Sequence, residues 1–576
     1  MNPLMTPWGE AFDREHILPE YPRPQLQRDS YLNLNGAWEY AITYTDTLPP
    51  AFDGKIRVPF SPESELSGVR RTLMPGQTLW YRRSIVLPEG FVPANGRVFL
   101  HFGAVDQEAV VLLNGIEIAR HMGGYTAFSA DVTDALKPEN ELIVRVHDDT
   151  DASWHTRGKQ KTKRGGIWYT PQSGIWQTVW MEAVPAEYVR GLRILPLFDE
   201  SAVSITVDST APGCITLEEK TYAFLPGESL RIPMPDFHAW SPEDPHLYSF
   251  TVTVGDDSVQ SYFGMRKTEV RADSRGVKRL FLNNQPCFHN GLLDQGYWPD
   301  GLYTPPSDEA MIFDIQTAKE LGYNMLRKHI KIEPQRWYYH CDRLGMLVWQ
   351  DMVSGGGQYH FTTISTPLVT GIHRRDNAYA AFARTAPEGR EEYMAELEET
   401  VTQLFNAPSV VLWVPFNEGW GQFDAAKACE KILALDPSRP IDHASGWHDQ
   451  RIGEIKSLHV YFRPYRFKRD HLGRAVVLSE FGGYNLRLDG HIYSNVDFGY
   501  RKLPDKAALW EAYSQLFEKE ILPAIPSGLC ATVYTQLTDV EDELNGILTY
   551  DRKVLKLPKD ELIALNRRVI DSGKGE

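Results

Sequence analysis

The chain is short of the features that would take it out of the ordinary globular class. It has five cysteines in 576 residues, Cys214, Cys287, Cys341, Cys429 and Cys530, with no Cys-x-x-Cys pair. The odd, scattered count excludes a full disulfide framework and leaves no readable structural zinc site. No apolar run approaches the roughly 20 residues that cross a bilayer. The stretch 1–24 carries charges and prolines where a secretory leader needs an apolar segment, so a cytoplasmic location is expected. Positive charge is scarce as well. Lys+Arg 60 against Asp+Glu 76 leaves −16, which argues against nucleic acid or a membrane surface as partner. Internal repeats and low-complexity segments are missing. Aromatic residues, by contrast, are abundant, with Trp 15, Tyr 27 and Phe 25. Such rings fill cores, and they also form stacking platforms for sugars or bases.

A length of 576 residues calls for roughly two to four domains. The pattern changes near residue 270. Before it, short apolar or alternating runs such as Arg97–Phe102, Ala109–Leu113 and Glu141–Val146 recur between turns. Asn114-Gly115 separates two apolar runs, and both residues tolerate positive φ, so a tight hairpin is predicted there. Residues 1–185 therefore read as one β-sandwich. A second all-β block covers 186–270, with strands at Val203–Val207, Lys220–Phe224 and Tyr248–Val254. Its length suits a seven-strand immunoglobulin-like sandwich.

From 271 to 576 strand and helix patterns alternate. Ser307 is placed to cap a helix that Gly322 ends, and Gln335–Leu344 reads as a helix stopped by Gly345. Glu391–Phe405 has a helical apolar period. Eight strand candidates run in order: Cys287–Gly291, Tyr323–Arg327, Met346–Trp349, Ser409–Phe416, Pro440–His443, Ser457–Tyr461, Ala475–Ser479 and Leu529–Tyr534. Eight strands with intervening helices describe a (β/α)8 TIM barrel, whose chemistry sits at the C-terminal ends of the strands.

Two of those ends carry a glutamate. The fourth candidate runs into Asn417-Glu418-Gly419-Trp420, and the seventh into Glu480-Phe481-Gly482-Gly483. One such acid is more often a structural group at a helix N-terminus. Two at equivalent barrel positions point to paired carboxylate chemistry, the requirement of glycoside hydrolysis. One acid protonates the leaving oxygen and needs a raised pKa, which an apolar aromatic setting supplies. Trp413, Phe416 and Trp420 lie close in sequence to Glu418.

The sequence resembles glycoside hydrolase family 2, the family of β-galactosidases, β-glucuronidases and β-mannosidases. The likeness covers nearly the whole chain. It rests on GIWYTPQSGIWQTVWME (166–182), WSPEDPHLY (240–248), FGMRK (263–267), LFLNNQPCFHNG (280–291), PSVVLWVPFNEGWG and VVLSEFGG, in that order. The resemblance implies a jelly-roll, sugar-binding-like first domain and a retaining exo-β-glycosidase. Within it Glu480 matches the nucleophile and Glu418 the acid/base. Asn417 matches the residue that bonds the substrate's 2-hydroxyl, and Tyr461 a tyrosine that orients the nucleophile.

Several features depart from the family pattern. The Glu-x-His magnesium pair of the large β-galactosidases is missing, although Asp351 is present, so no metal or other cofactor is expected. The second strand ends in Arg327-Lys328-His329, one residue shorter than the family's R-x-S-H, with His329 directed at the pocket. The last strand has Tyr534 and Gln536 in place of a tryptophan wall. The Asn-x-Lys pair of β-glucuronidases reads Asn545-Gly546-Ile547, without the lysine. Lys328, Lys331 and the basic segment Arg157–Arg164 remain as cations for a uronic acid, and that segment reads as an exposed, solvated loop. A neutral sugar is therefore expected, galactose first, with glucuronate, galacturonate and mannose as alternatives. Asp294, Gln295, Trp298, Trp349 and Trp447 are further candidates to line the pocket, whereas His443 and His459 read as core residues. The expected partner is a carbohydrate. Many family members are oligomers, and no interface signal here decides for or against a homo-oligomer. A non-catalytic carbohydrate-binding protein is the alternative of another class, and retention of both glutamates argues against it.

Overall fold

The Asn114-Gly115 turn takes the backbone its composition favours. Asn114 has φ 54° and Gly115 φ 82°, and they join the antiparallel strands Glu108–Leu113 and Ile116–Met122. Both strands belong to a six-stranded sheet that faces a four-stranded one. Tyr81, Val111 and Val144 from the first sheet and Leu100, Phe102 and Met181 from the second share one core. The computed structural model describes residues 3–574.

A second sandwich follows, of three strands against four. Its sheets meet through Val203, Ile205 and Ile232 on one side and Ile215, Phe250 and Val252 on the other. An antiparallel hairpin, Thr268–Ala272 with Lys278–Leu282, then runs across residue 270. Its Val270, Leu280 and Leu282 pack with Met325, Leu347, Val411 and Ala475 and close the N-terminal end of the next domain.

That domain is built on a seven-stranded parallel sheet: β1 (His289–Asp294), β2 (Met325–Lys328), β3 (Leu347–Asp351), β4 (Val410–Val414), β5 (Ile455–Val460), β6 (Ala475–Gly482) and β7 (Leu529–Thr535). The spatial order is β4-β3-β2-β1-β7-β6-β5, curling round as a TIM barrel. The strand expected at Pro440–His443 is not a continuous ladder. It touches β4 through two isolated parallel bridges, Trp413 with Ile441 and Asn417 with Ser445. Pro440 has no N–H to donate to a ladder. Towards β5 the segment makes side-chain bonds instead, Ser445 Oγ lying 3.0 Å from His459 Nε2.

Helices fill the connections where the sequence signals place them. The Ser307 side chain accepts the Ala310 N–H and starts Asp308–Glu320. Gln335–Leu344 stops at Gly345, which is left-handed with φ 73°. The helix expected from Glu391 begins earlier, at Pro387, whose fixed φ suits a first turn. All five cysteines are unpaired. No helix among the described residues is long and apolar enough to cross a membrane.

Candidate active site

Glu418 and Glu480 reach the same pocket by different routes. Glu480 lies inside β6, where the pairing of β5 and β7 with β6 slips around residues 478–481. Such an irregularity re-aims a side chain at a strand end. Glu418 lies beyond β4 in a left-handed conformation, φ 51°, held by its own N–H bonding to Ser445 O at 2.9 Å. A non-glycine residue kept in that region is strained, and such strain clusters at functional sites. The next residue, Gly419, has no room for a side chain, since a Cβ there would stand 2.5 Å from the His448 ring.

Around the acids the polar contacts are dense. Arg327, fully buried at the end of β2, donates from one terminal nitrogen to Glu480 Oε1 at 3.1 Å. Its other contacts are bidentate to Asp351, at 2.9 and 3.0 Å, to Asn417 Oδ1 at 2.9 Å and to Ser479 O at 3.1 Å. The Tyr461 hydroxyl donates to Glu480 Oε2 at 2.5 Å, and its ring stacks on Tyr500 with centroids 3.9 Å apart. Two donors from opposite sides therefore fix the Glu480 carboxylate. Glu418 has a different environment. Trp420 Nε1 donates to its Oε2 at 3.1 Å, and His459 Nδ1 lies 2.7 Å from its Oε1. Burial pushes the Glu418 pKa up, against the opposing Trp420 bond and the Lys159 and Arg327 charges. Burial also lowers His459 to about 4, so the imidazole is neutral near pH 7.

Side-chain ligand atoms of Glu418, His459 and Glu480 lie within 4.8 Å of one another. These three residues also meet the proximity of a metal triad. A cation there would compete with Arg327 and Tyr461, which already occupy Glu480. Read as a carboxylate pair, Glu418 and Glu480 bring an oxygen of each no more than 4.8 Å apart, closer than the roughly 6.5–9.5 Å that inversion needs for a water.

The sequence matches three family models. The "Glycosyl hydrolases family 2, TIM barrel domain" model covers residues 281–476. The "Glycosyl hydrolase 2 galactose-binding domain-like" model covers 53–177. The "Glycosyl hydrolases family 2" model covers 195–266. The chain belongs to glycosyl hydrolase family 2. It is 23% identical over 396 residues to a β-galactosidase of Thermoanaerobacter pseudethanolicus, covering 63% of this chain and 48% of that protein, so it spans about half of that relative's length. It is 23% identical over 501 residues to a β-glucuronidase of Canis lupus familiaris, covering 77% of this chain and 72% of the relative. Among solved structures, the β-D-glucuronidase of Dictyoglomus thermophilum superposes with a TM-score of 0.73 at 17% identity, covering 95% of this chain and 98% of the other. At that identity the likeness shows the fold alone.

Within this family 2 chain the pocket brings together Glu418, Glu480, Asn417, Tyr461 and His329 of the expected site. Gln295 lines it too. Four other expected contacts lie outside this lining, and here the structure departs from the sequence reading. Asp294 is turned away by Lys328, 2.6 Å distant. Asp351 is engaged by Arg327 and by His329 Nδ1 at 2.9 Å. Gln536 is fully buried between Gln295 and Asn545. Trp447 packs on the cluster of Ile364, Phe382 and Trp420 and lines a neighbouring surface cleft. Nor do Trp298 and Trp349 stack on the pocket. Trp298 lies under the Arg552 guanidinium, and Trp349 is fully buried, donating to His289.

Sequence reasoning gave no role to Arg327, Trp168, Tyr500 and Glu543, weighed Lys159 only within a basic segment it favoured as solvated, and read His459 as core. Arg327 carried a usable signal, a charge at the C-terminal end of an apolar barrel strand. The segment Arg157–Arg164, expected to be a solvated loop, instead enters the site. Arg157 is buried, and Gly158 and Lys159 line the pocket together with Trp168. The Trp168 ring meets Trp420 edge-on at 5.1 Å and carries the Lys161 ammonium 4.3 Å from its centre. The aromatic wall missing from β7 is therefore supplied in part by the first sandwich. Lys328 and Lys331, the other cation candidates, are buried and pinned by Glu333, at 2.8 and 2.9 Å.

Proposed function

We propose that this chain is a retaining exo-β-glycosidase that removes terminal β-linked sugars by double displacement. The observation that carries the proposal is the pair Glu418 and Glu480, facing each other in one pocket with side-chain atoms within 4.8 Å. Glu480, aligned by Arg327 and Tyr461, attacks the anomeric carbon. Glu418, its pKa raised by burial, protonates the departing glycosidic oxygen. It then takes a proton from the water that releases the sugar, as microscopic reversibility requires. Asn417 gives its carbonyl to Arg327, which leaves its NH2 group as the donor for a substrate hydroxyl beside the nucleophile.

For the sugar, β-D-galactosides are the first choice. The uronidase alternative, glucuronide or galacturonide, loses two of its cations, since Lys328 and Lys331 are already engaged. The β-mannosidase alternative has no contact in its favour. The five unpaired cysteines support a reducing compartment such as the cytoplasm. A panel of nitrophenyl β-glycosides tests the activity directly. Turnover of at least one, with the β-anomer released first in a proton NMR time course, is expected. No turnover on any of them refutes the glycosidase reading, and α-anomer release refutes retention.

A further inference from the structure

One ammonium in the pocket is held only by a long ion pair and a ring face. Lys159 Nζ donates no hydrogen bond to protein among the described residues. Its nearest carboxylate oxygen is Glu543 Oε2, 3.8 Å away, and it rides 5.0 Å from the centre of the Tyr169 ring. That gap exceeds the roughly 2.7–3.2 Å of a direct bond. Glu543, in contrast, is firmly held. Its Oε2 accepts from the Tyr169 hydroxyl, and its Oε1 accepts from Asn545 Nδ2 at 3.0 Å. Both Lys159 and Glu543 line the pocket that holds Glu418 and Glu480. One comes from the first sandwich and the other from the loop after β7.

Resting on the glycosidase reading above, we propose that Lys159 and Glu543 are the specificity-determining pair for a neutral sugar, gripping one of its hydroxyls between them. A hydroxyl oxygen set between the two accepts from the Lys159 ammonium and donates to Glu543 Oε2. Only a group that both accepts and donates satisfies both partners. A sugar carboxylate accepts from Lys159 but has no proton for Glu543, and it meets a like charge there. Glu543 thus rejects uronic acids by repulsion while Lys159 still binds hydroxyls, specificity through an unfavourable contact with the wrong substrate. Ile547, two residues past Asn545, is buried and adds no second cation.

The test compares wild type, Lys159→Met and Glu543→Gln on matched nitrophenyl β-galactoside and β-galacturonide, and on the glucoside and glucuronide pair. Circular dichroism and melting curves verify folding. Wild type is expected to favour the neutral member of a pair by at least 100-fold in kcat/KM. Glu543→Gln should keep the Asn545 contact on its remaining carbonyl oxygen, turn the Tyr169 hydroxyl into the acceptor of its new NH2 group, remove the repulsion, and shift the neutral-to-uronide ratio at least tenfold toward the uronide. Lys159→Met should raise KM for the neutral sugar about tenfold or more with kcat changed less. A wild type that prefers either uronide overturns the proposal while leaving the glycosidase reading intact, as does a folded Glu543→Gln with an unchanged ratio. Failure of wild type to cleave any glycoside sinks both.

Discussion

Trp420→Phe isolates a single hydrogen bond on the group we assign as acid. The indole N–H is a donor only, and it stands 3.1 Å from Glu418 Oε2. Phenylalanine removes that donor and keeps an aromatic face toward Trp168 and Tyr359, each 5.1 Å away by ring centres. Of the influences that oppose burial at Glu418, the Trp420 bond is the largest. A hydrogen bond to a charged group contributes about 1.5–3 kcal/mol, and one between neutral groups about 0.5–1.5. Losing the donor therefore penalises ionised Glu418 by about 1–1.5 kcal/mol more than its protonated form. At about 1.36 kcal/mol per unit, its pKa rises by roughly one.

The sign follows from the assigned role. Glu418 must be protonated to donate, so activity is lost as pH climbs through its pKa. The alkaline limb of kcat/KM, which reports the free enzyme, should move up by roughly one pH unit, and the acidic limb should stay. The profile is measured on an aryl glycoside that wild type cleaves. A drop in overall kcat/KM from altered packing does not disturb the comparison, because limb positions are independent of height. An alkaline limb that stays put or moves down refutes the reasoning. Movement of the acidic limb instead would mean that Glu418 works ionised and that the two glutamates exchange roles.

Three further outcomes are expected. Glu480→Ala should lower kcat by on the order of 10⁴-fold or more, as removal of a nucleophile does, and azide should restore turnover with an inverted product; near-normal unaided activity would remove Glu480 from the nucleophile role. Treatment with EDTA should leave activity unchanged, because Glu418 and Glu480 are already bonded by Trp420, Arg327 and Tyr461; a large loss restored by a divalent cation would contradict this. Asp351→Ala leaves the buried Arg327 short of its bidentate partner, and breaking a buried pair of this kind costs about 3–5 kcal/mol, to be read as a fall in the urea midpoint of tryptophan fluorescence.

Much of the architecture was legible because each element carries its own punctuation. Asn114-Gly115, Ser307, Gly345 and the apolar runs of β4 and β6 are local signals, and the structure follows them. The fifth strand candidate, Pro440–His443, was over-read as a full strand, because four residues with one apolar side chain meet β4 only through isolated bridges. At the site, Glu418 and Glu480 were visible because strand ends of a barrel are where acids count. What hid the rest is that burial partners are remote in sequence. Asp294 ends β1 just as an active-site acid would, yet Lys328, 34 residues on, takes it. His459 looked like a satisfied core histidine, and one of its nitrogens does meet Ser445, while the other reaches Glu418.

The basic segment shows the same blindness and suggests how to reduce it. Taken alone, Arg157–Arg164 reads as a solvated face, and the acidic run Glu541-Asp542-Glu543 lies far from it along the chain. Folded, they meet. Arg164 lies 3.0 Å from Asp542, the Thr170 N–H donates to Glu541 at 3.1 Å, Tyr169 bonds Glu543, and Lys159 stands 3.8 Å from it. Further along the seam the Thr156 N–H donates to Glu392 at 3.1 Å. Two charge runs of opposite sign in loops of different domains are better partnered with each other than each with water, provided side chains and backbone satisfy the remaining lone pairs. The Tyr169 hydroxyl and the Thr170 amide do that here. The pocket edge that these loops build is therefore an interface between domains. Its residues are found by pairing complementary loops along the whole chain, and inspection of the barrel alone misses them.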